Sequence, residues 1–219
     1  MSTECAKNCS FTLHYFNLRG RGELIRYMFV FSKTPYQDKR YSFEEWPKVK
    51  PTMPLGQLPV LECKSGNQTF FLTQSRAIIG HVARLTGLAG STPEQMIRAH
   101  EAFEILMEVI DHGGKIIQEK DEGKKKQLIE QMKNEIAPRN FGFLEKRIVE
   151  NGGKNMAGGE GYTYADLLAA QFFDGMMRKP MMPISDLTSK TPALMALVKA
   201  INESPEIKAY LATRPETDF

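Results

Sequence analysis

One tyrosine stands at a point of the chain where a phenol can act on a ligand. Tyr15 lies near the end of a β-branched and aromatic run, residues 11–16, that predicts a strand, and a glycine-containing loop follows it. The pKa of a phenol is about 10, so at neutral pH a phenol donates a hydrogen bond rather than acting as a base. A donor directed at a thiol sulfur favours the thiolate and lowers the pKa of the thiol. A tyrosine packed in the core is the alternative explanation of this residue taken alone.

Several polar residues further along the chain are candidates for binding an anion or a peptide. Gln74 and Ser75 precede an amphipathic helical segment, where the serine either caps the helix or joins its N–H groups in binding a carboxylate. Trp46 and Lys50, four residues apart, offer an indole donor and an ammonium group for a second carboxylate. Equally, an amphipathic connector would simply pack the tryptophan ring. These residues predict an open binding site built from loops and a helix N-terminus.

The first part of the chain predicts alternating strands and helices. Helical periodicity over residues 23–31 lies between the first strand and a short second strand at residues 37–41. Two further strands, at residues 59–62 and 70–72, flank a turn-rich stretch typical of a hairpin, and a helix follows from Ser75. A β-α-β unit requires a parallel pair and a hairpin an antiparallel pair. The prediction is an α/β thioredoxin-like domain with a mixed four-stranded sheet over residues 10–87.

The remainder of the chain predicts an all-helical domain over residues 93–219. Thr92, Pro93 and Glu94 have the chemistry of a helix start, with a cap, a proline in the first turn and an acidic residue. Pro138 divides or kinks the helical pattern of residues 127–149. Thr163 and Asp166 form a capping box with aspartate in place of glutamate. Residues 1–9 are a polar N-terminal extension.

Composition excludes several classes of function. The 219 residues include 42% apolar and 25% charged residues, which is typical of a globular protein. A net charge of +3 and dispersed lysines argue against nucleic acid as a partner. Three cysteines without a CxxC motif or zinc-like spacing predict no metal site and a reducing compartment. No apolar run approaches the roughly 18 residues that span a bilayer, and the first residues lack a signal sequence, so we expect a cytoplasmic protein.

Taken in order, these motifs resemble the sigma-class glutathione transferases. The pattern is Tyr-Phe-Asn-x-Arg-Gly-Arg, then Trp-Pro-x-x-Lys, then Gly-Gln-x-Pro-Val-Leu, then Gln-Ser-x-Ala-Ile, and the resemblance covers the chain from about residue 10 onward. It implies that Tyr15 activates the glutathione thiol and that Arg21 tunes it. The glutathione-binding residues implied by the resemblance are Tyr15, Trp46, Lys50, Gln57, Leu58, Pro59, Gln74 and Ser75. Leu58 would pair with the cysteinyl backbone before a cis Pro59.

The resemblance also implies the partners and the reaction. Glutathione is a co-substrate, so no cofactor is expected, and the protein would be a homodimer that conjugates glutathione to hydrophobic electrophiles. Glu108, with Glu104 as the second choice, would complete the glutathione site of the partner subunit. Phe16, Leu18 and Met107 are predicted to line the electrophile pocket.

Other functions compatible with the resemblance are a glutathione-dependent prostaglandin isomerase or peroxidase, and a non-catalytic ligand-binding or crystallin-like relative. A thiol-disulfide oxidoreductase would need a cysteine in the loop after the first strand. Residues 17–20 contain none.

Overall fold

The fold is known from a computed structural model, which describes residues 9–178 and 188–217. The chain divides into two compact units. The first contains the described residues up to Ala89 together with those from Ser204 onward, and the second contains the described residues between Gly90 and Glu203.

The described elements follow the predicted order. The strands are β1 (Cys9–Phe16), β2 (Gln37–Tyr41), β3 (Val60–Ser65) and β4 (Gln68–Thr73). The helices are α1 (Glu23–Phe31), α2 (Trp46–Val49), α3 (Ser75–Leu85), α4 (Pro93–Gln118), α5 (Glu122–Gln131), α6 (Ala137–Glu150), α7 (Tyr164–Arg178), α8 (Pro192–Asn202) and α9 (Pro205–Thr213).

The sheet of the first unit is mixed, as predicted. Its strand order is β2-β1-β3-β4. Strand β1 runs parallel to β2 and antiparallel to β3, with Leu13 opposite both Asp38 and Leu61. Strands β3 and β4 form a hairpin in which Ser65 pairs with Gln68. The two central strands, β1 and β3, are therefore paired on both sides, and the candidate tyrosine lies on one of them.

Alternation along β1 separates two packed faces. Phe11, Leu13 and Tyr15 are buried on one face, where the ring of Phe11 lies 5.6 Å from that of Phe29 in α1. Helix α1 is buried around its circumference from Glu23 to Phe29, rather than along the single apolar stripe that its periodicity predicted. Both of its charged residues, Glu23 and Arg26, are therefore inside the unit and must be paired there.

The last described helix, α9, packs on α1. The ring of Tyr210 in α9 meets that of Tyr27 edge to face, with centroids 5.9 Å apart. The predicted helical domain, residues 93–219, included this segment, whereas its contacts place it in the compact unit of the sheet. At the other end, β1 begins at Cys9, inside the predicted polar extension, because Cys9 pairs with Ser65 of β3. Residues 1–8 of that extension lie outside the described part of the chain.

Helix boundaries in the second unit follow local chemistry. The N–H of Gln95 donates to the Thr92 hydroxyl at 3.1 Å, which caps α4 as predicted. Helix α5 begins at Glu122, earlier than the predicted start at residue 127, because the Asp121 carboxylate caps it through the N–H of Lys124 at 2.8 Å. Before Pro138 the helix widens into a π-helical turn, Met132–Ile136. Proline has no N–H to donate to the preceding turn, and a wider turn accommodates that loss.

A buried carboxylate fixes the start of α7. Asp166 is fully buried and accepts hydrogen bonds from the N–H of Thr163 at 2.7 Å, the Thr163 hydroxyl at 2.9 Å and the N–H of Met156 at 2.9 Å. Burial raises the pKa of Asp166 to about 6, and the hydrogen bonds from Thr163 and Met156 oppose that rise. The carboxylate half of the predicted capping box is therefore present, with the Asp166 side chain accepting from the Thr163 N–H, and the bond from Met156 also ties α7 to the segment before it.

None of the helices in the described ranges is both long and apolar enough to cross a membrane.

We expect Asp166→Ala to destabilise the protein far more than Asp121→Ala. Removing the buried carboxylate leaves two N–H groups and one hydroxyl without an acceptor, for a loss of about 3 kcal/mol or more. Asp121 caps an exposed helix start, so its loss removes about 1 kcal/mol. Urea unfolding of the two variants and the wild type measures both free energies. Equal losses would contradict the structural role assigned to Asp166.

Candidate active site

Tyr15 is presented by the penultimate position of β1 and is held by the loop that follows. Its side chain is buried, and its oxygen accepts a hydrogen bond from the backbone N–H of Arg21 at 2.9 Å. This arrangement uses a lone pair of the phenol oxygen and leaves the phenol hydrogen to donate to another group. The sequence predicted that Tyr15 lies near the end of a strand. The structure adds the hydrogen bond from Arg21, which orients the Tyr15 hydroxyl.

The electrostatic surroundings keep this phenol protonated at neutral pH. Burial raises the pKa of Tyr15 above its ordinary value, while the N–H of Arg21 and the charges of Arg21 and Arg26 oppose that rise. A protonated phenol next to positive charge is suited to donate to an anion, and a thiolate is such an anion. The geometry therefore supports hydrogen-bond donation and not base catalysis by Tyr15.

Two glycines surround the tyrosine ring, and their role was not evident from the sequence. A Cβ at Gly20 would lie 2.7 Å from the Tyr15 oxygen, and a Cβ at Gly22 would lie 2.5 Å from its Cδ1. Gly20 also has a φ of 38°, in the left-handed region that side chains disfavour. The sequence suggested that these glycines loosen the loop. Instead, they allow the backbone to pass within contact distance of the phenol.

Trp46 and Lys50 lie on the connector between β2 and β3. The Trp46 ring is half-buried, meets Phe16 edge to face at 5.3 Å between centroids, and packs on a cluster that contains Tyr41 and Met53. The Lys50 side chain passes over Gly56, and its Cε lies 3.4 Å from the position that a Cβ on Gly56 would occupy. Both readings of Trp46 are therefore compatible with the structure, because the ring packs on the connector cluster and remains partly exposed.

The segment before β3 combines an exposed side chain with an unusual backbone. Gln57 is exposed, Leu58 half-buried and Pro59 buried, and the Leu58–Pro59 peptide bond is cis. The pairings of β3 start at Val60, so Leu58 lies just outside the sheet register. The sequence could not determine the isomer of this bond.

The start of α3 differs from the capping prediction. Ser75 is the first helical residue, and the N-cap position belongs to Gln74, whose side chain makes no capping hydrogen bond. Gln74 has a φ of 67°, which is uncommon for a residue with a side chain and is found at sites where the surrounding structure maintains strain. The helix end is therefore without a side-chain cap, and Ser75 does not act as the cap that one interpretation of the sequence predicted.

Not all predicted residues lie in the first unit. Phe16 is the last residue of β1 and Leu18 lies in the loop that follows, both half-buried, whereas Met107 and Glu108 are on α4 in the second unit. Glu108 accepts hydrogen bonds from Arg139 and from the Asn140 amide, the latter at 2.8 Å. Those two bonds, with that from Asn140 contributing most, lower the pKa of Glu108. The fallback residue, Glu104, is half-buried on the same helix.

Protein-family models match both parts of the chain. Residues 11–84 match the glutathione S-transferase N-terminal domain, and residues 107–214 match the glutathione S-transferase C-terminal domain.

Individual relatives cover almost the whole chain. Glutathione S-transferase S1 of Drosophila melanogaster is 33% identical, over 95% of this chain and 80% of its own length. S-crystallin SL11 of Nototodarus sloanii is 32% identical, over 96% of this chain and 99% of its own. The solved structure of prostaglandin synthase D of Nilaparvata lugens has a TM-score of 0.78 and 31% identity, covering 94% of this chain and all of that one.

The matches of both domain models and the relatives above 30% identity agree with the mixed sheet of the first unit and the helical second unit. The chain belongs to the glutathione S-transferase family.

Proposed function

We propose that this protein conjugates the thiolate of glutathione to hydrophobic electrophiles, with Tyr15 as the residue that stabilises the thiolate. The observation that carries the proposal is the buried phenol, whose oxygen accepts the Arg21 N–H at 2.9 Å, which leaves its own hydrogen available to donate. The thiol proton leaves to solvent, and the Tyr15 hydroxyl then donates to the sulfur. The thiolate attacks an electrophilic carbon, forming the C–S bond as the leaving group departs with its electron pair.

The glutathione peptide has complementary groups along the first unit. We assign the glycyl carboxylate to Trp46 and Lys50, which lie on the same connector. Leu58 offers its backbone to the cysteinyl residue, supported by its place just before the β3 register, which starts at Val60.

Gln57, Gln74 and Ser75 complete the peptide site. We assign the γ-glutamyl carboxylate to Gln74 and Ser75 at the start of α3, where the N–H groups have no side-chain cap. Gln57 is exposed next to Leu58 and is assigned to the same ligand.

The electrophile site is assigned to Phe16, Leu18 and Met107, which are all half-buried apolar residues. Phe16 directly follows Tyr15 and Leu18 lies three residues after it, which supports an apolar surface near the proposed sulfur position. Sigma-class membership and a cytoplasmic location belong to the same proposal, supported by the motif pattern and by the absence of disulfide-like cysteine pairing in the sequence.

Prostaglandin isomerisation is a second candidate function, because a structural relative at 31% identity is a prostaglandin synthase. It would use the same thiolate and differ only in the second substrate. A carrier role is suggested by the crystallin relative at 32% identity. The oriented Tyr15 hydroxyl favours chemistry over storage, since a carrier does not require a donor directed at a sulfur.

We expect Tyr15→Phe to retain binding to immobilised glutathione while kcat/KM with chlorodinitrobenzene falls by about 10- to 100-fold, which corresponds to one or two units of thiol pKa. The pH dependence of kcat/KM should move to higher pH in parallel. Tyr36→Phe is the matched control, since it removes a hydroxyl from a ring of the same unit that stacks on Phe29. A full rate for Tyr15→Phe would refute the proposed role, and wild-type binding without turnover would favour the carrier.

We expect Gly20→Ala to reduce turnover strongly, because the added methyl group would displace the Tyr15 hydroxyl. Gly66→Ala is the matched control: its φ is 56°, but a Cβ there meets no atom within 4 Å. Both variants should lose about 1 kcal/mol of stability from the left-handed backbone. Steady-state kinetics and thermal unfolding separate the two effects. Similar turnover in the two variants would show that the close approach at Gly20 is unimportant.

We propose that the protein is a homodimer in which Glu108 contacts glutathione bound to the partner subunit. Light scattering should then give twice the chain mass of 24.8 kDa. Glu108→Gln should raise the KM for glutathione by about fivefold, equivalent to roughly 1 kcal/mol of charge-assisted hydrogen bonding. Glu104→Gln is the comparison on the same helix. A monomer in solution, or an effect confined to Glu104→Gln, would overturn the assignment.

A further inference from the structure

Among the arginines and lysines whose burial the structure describes, Arg26 is the one that is fully buried. A buried cation is unfavourable unless each of its donors is matched. It lies on α1, one turn after Glu23, and nothing in the motif pattern of the sequence singled it out. Its partners show that it links parts of the first unit that are distant in sequence.

The guanidinium of Arg26 binds two carboxylates and the loop after β1. Its Nε donates to both oxygens of Asp38, at 3.1 and 3.0 Å, and its Nη1 donates to Glu23 at 3.1 Å. Its Nη1 also donates to the Leu18 carbonyl at 2.8 Å, and its Nη2 lies 3.4 Å from the Phe16 carbonyl. The cation is therefore a fixed anchor for the backbone that directly follows Tyr15.

This anchored loop determines the position of the hydrogen bond to the phenol. The chain must turn between Leu18 and Arg21 for the Arg21 N–H to reach the Tyr15 oxygen. The guanidinium carbon of Arg26 also lies 5.7 Å from the centre of the Tyr15 ring. Movement of Arg26 would thus change both the loop geometry and the positive field at the phenol.

The carboxylate of Glu23 extends the network to the end of the chain. Its Oε2 accepts from Arg26, while its Oε1 accepts from Arg214 Nη1 at 2.7 Å and from the Tyr210 hydroxyl at 3.0 Å. Glu23 is fully buried. Burial and the Glu23 charge raise the pKa of Tyr210, which keeps this hydroxyl a donor. Tyr210 belongs to α9, and Arg214 immediately follows that helix.

We propose that Arg214 and Tyr210, acting through Glu23 and Arg26, form a positioning relay by which the C-terminal helix controls the hydrogen-bond geometry of Tyr15. The inference rests on the proposed function of Tyr15 as the thiolate donor. These four are positioning residues, because each acts on Tyr15 through the loop and not on the substrate.

The direction of the effect follows from charge balance. When Arg214 is neutralised, the buried Glu23 carboxylate loses one of its two cationic partners and attracts Arg26 more strongly. Arg26 then moves away from the Phe16 and Leu18 carbonyls, and the loop beyond them loses its anchor. The bound thiol should lose stabilisation of its anionic form, so its apparent pKa should rise.

The experiment compares Arg214→Gln, Tyr210→Phe and Arg214→Lys with the wild type in the full chain. We expect the acidic limb of the pH profile of kcat/KM to move up by about 0.5 to 1 unit in Arg214→Gln, which is about a 3- to 10-fold loss at pH 6.5. Tyr210→Phe should give a smaller shift, and Arg214→Lys should restore part of the wild-type profile. The KM for glutathione should change by less than about twofold, because the peptide-binding residues are untouched.

Lys33→Gln is the matched control. It breaks the exposed ion pair between Lys33 and Glu206, another contact between the end of α1 and the start of α9. An effect of loosened helix packing alone would appear in both Lys33→Gln and Arg214→Gln. A relay through Glu23 predicts a shifted profile only in Arg214→Gln and Tyr210→Phe.

A second readout keeps the inference independent of turnover. In protein labelled with ¹³Cζ-tyrosine, the Tyr15 resonance, assigned with Tyr15→Phe, should move in Arg214→Gln and not in Lys33→Gln. A lower Tm in Arg214→Gln with an unchanged pH profile and an unchanged Tyr15 resonance would overturn the relay and leave a purely structural contact. If the wild type neither binds nor conjugates glutathione, the proposed function fails, while the Tyr15 resonance still decides whether the C-terminal helix acts on that residue.

Discussion

The hydrogen bond from the Arg21 N–H to the Tyr15 oxygen is the contact on which the arrangement of this site depends. It can form only if the backbone returns across the tyrosine ring within five residues of the end of β1. That return requires glycine at positions 20 and 22, since a Cβ at either would overlap the ring or its hydroxyl. The phenol is thereby buried enough to stay protonated while its hydrogen remains available to an anion.

The surrounding unit is organised to keep that backbone in place. Tyr15 pairs with Arg40 of β2, and the residue before it, His14, pairs with Val60 of β3, so the strand that carries the phenol is held on both sides up to that point. Beyond Tyr15, the buried guanidinium of Arg26 donates to the carbonyl of Phe16, the last residue of β1, and to the carbonyl of Leu18 in the loop that follows. A charged group inside the unit is stable only with matched acceptors, and Asp38 and Glu23 supply them. Arg26, Asp38 and Glu23 therefore satisfy one another inside the first unit and also hold the backbone next to Tyr15.

Membership in the glutathione S-transferase family is common to relatives with different roles. A transferase, a crystallin and a prostaglandin synthase match this chain at 33%, 32% and 31% identity, so overall similarity does not distinguish among them. Under the proposed function, the Tyr15 hydroxyl is the local feature that would distinguish conjugation from storage. The proposed electrophile site is the part that would distinguish conjugation from isomerisation.

The sequence by itself determined the order of strands and helices, the mixed sheet and the candidate tyrosine. Those features depend on local periodicity, on caps such as Thr92 and Asp166, and on a motif order that is read along the chain. Tertiary structure decided what depends on contacts between distant segments. The burial of Arg26 against Asp38, the link from Glu23 to Arg214 across about 190 residues, and the uncapped start of α3 were set by packing. Periodicity identified α1 as a helix with one apolar face, but could not show that its charged face would also be buried, because the covering helix α9 comes from the other end of the chain.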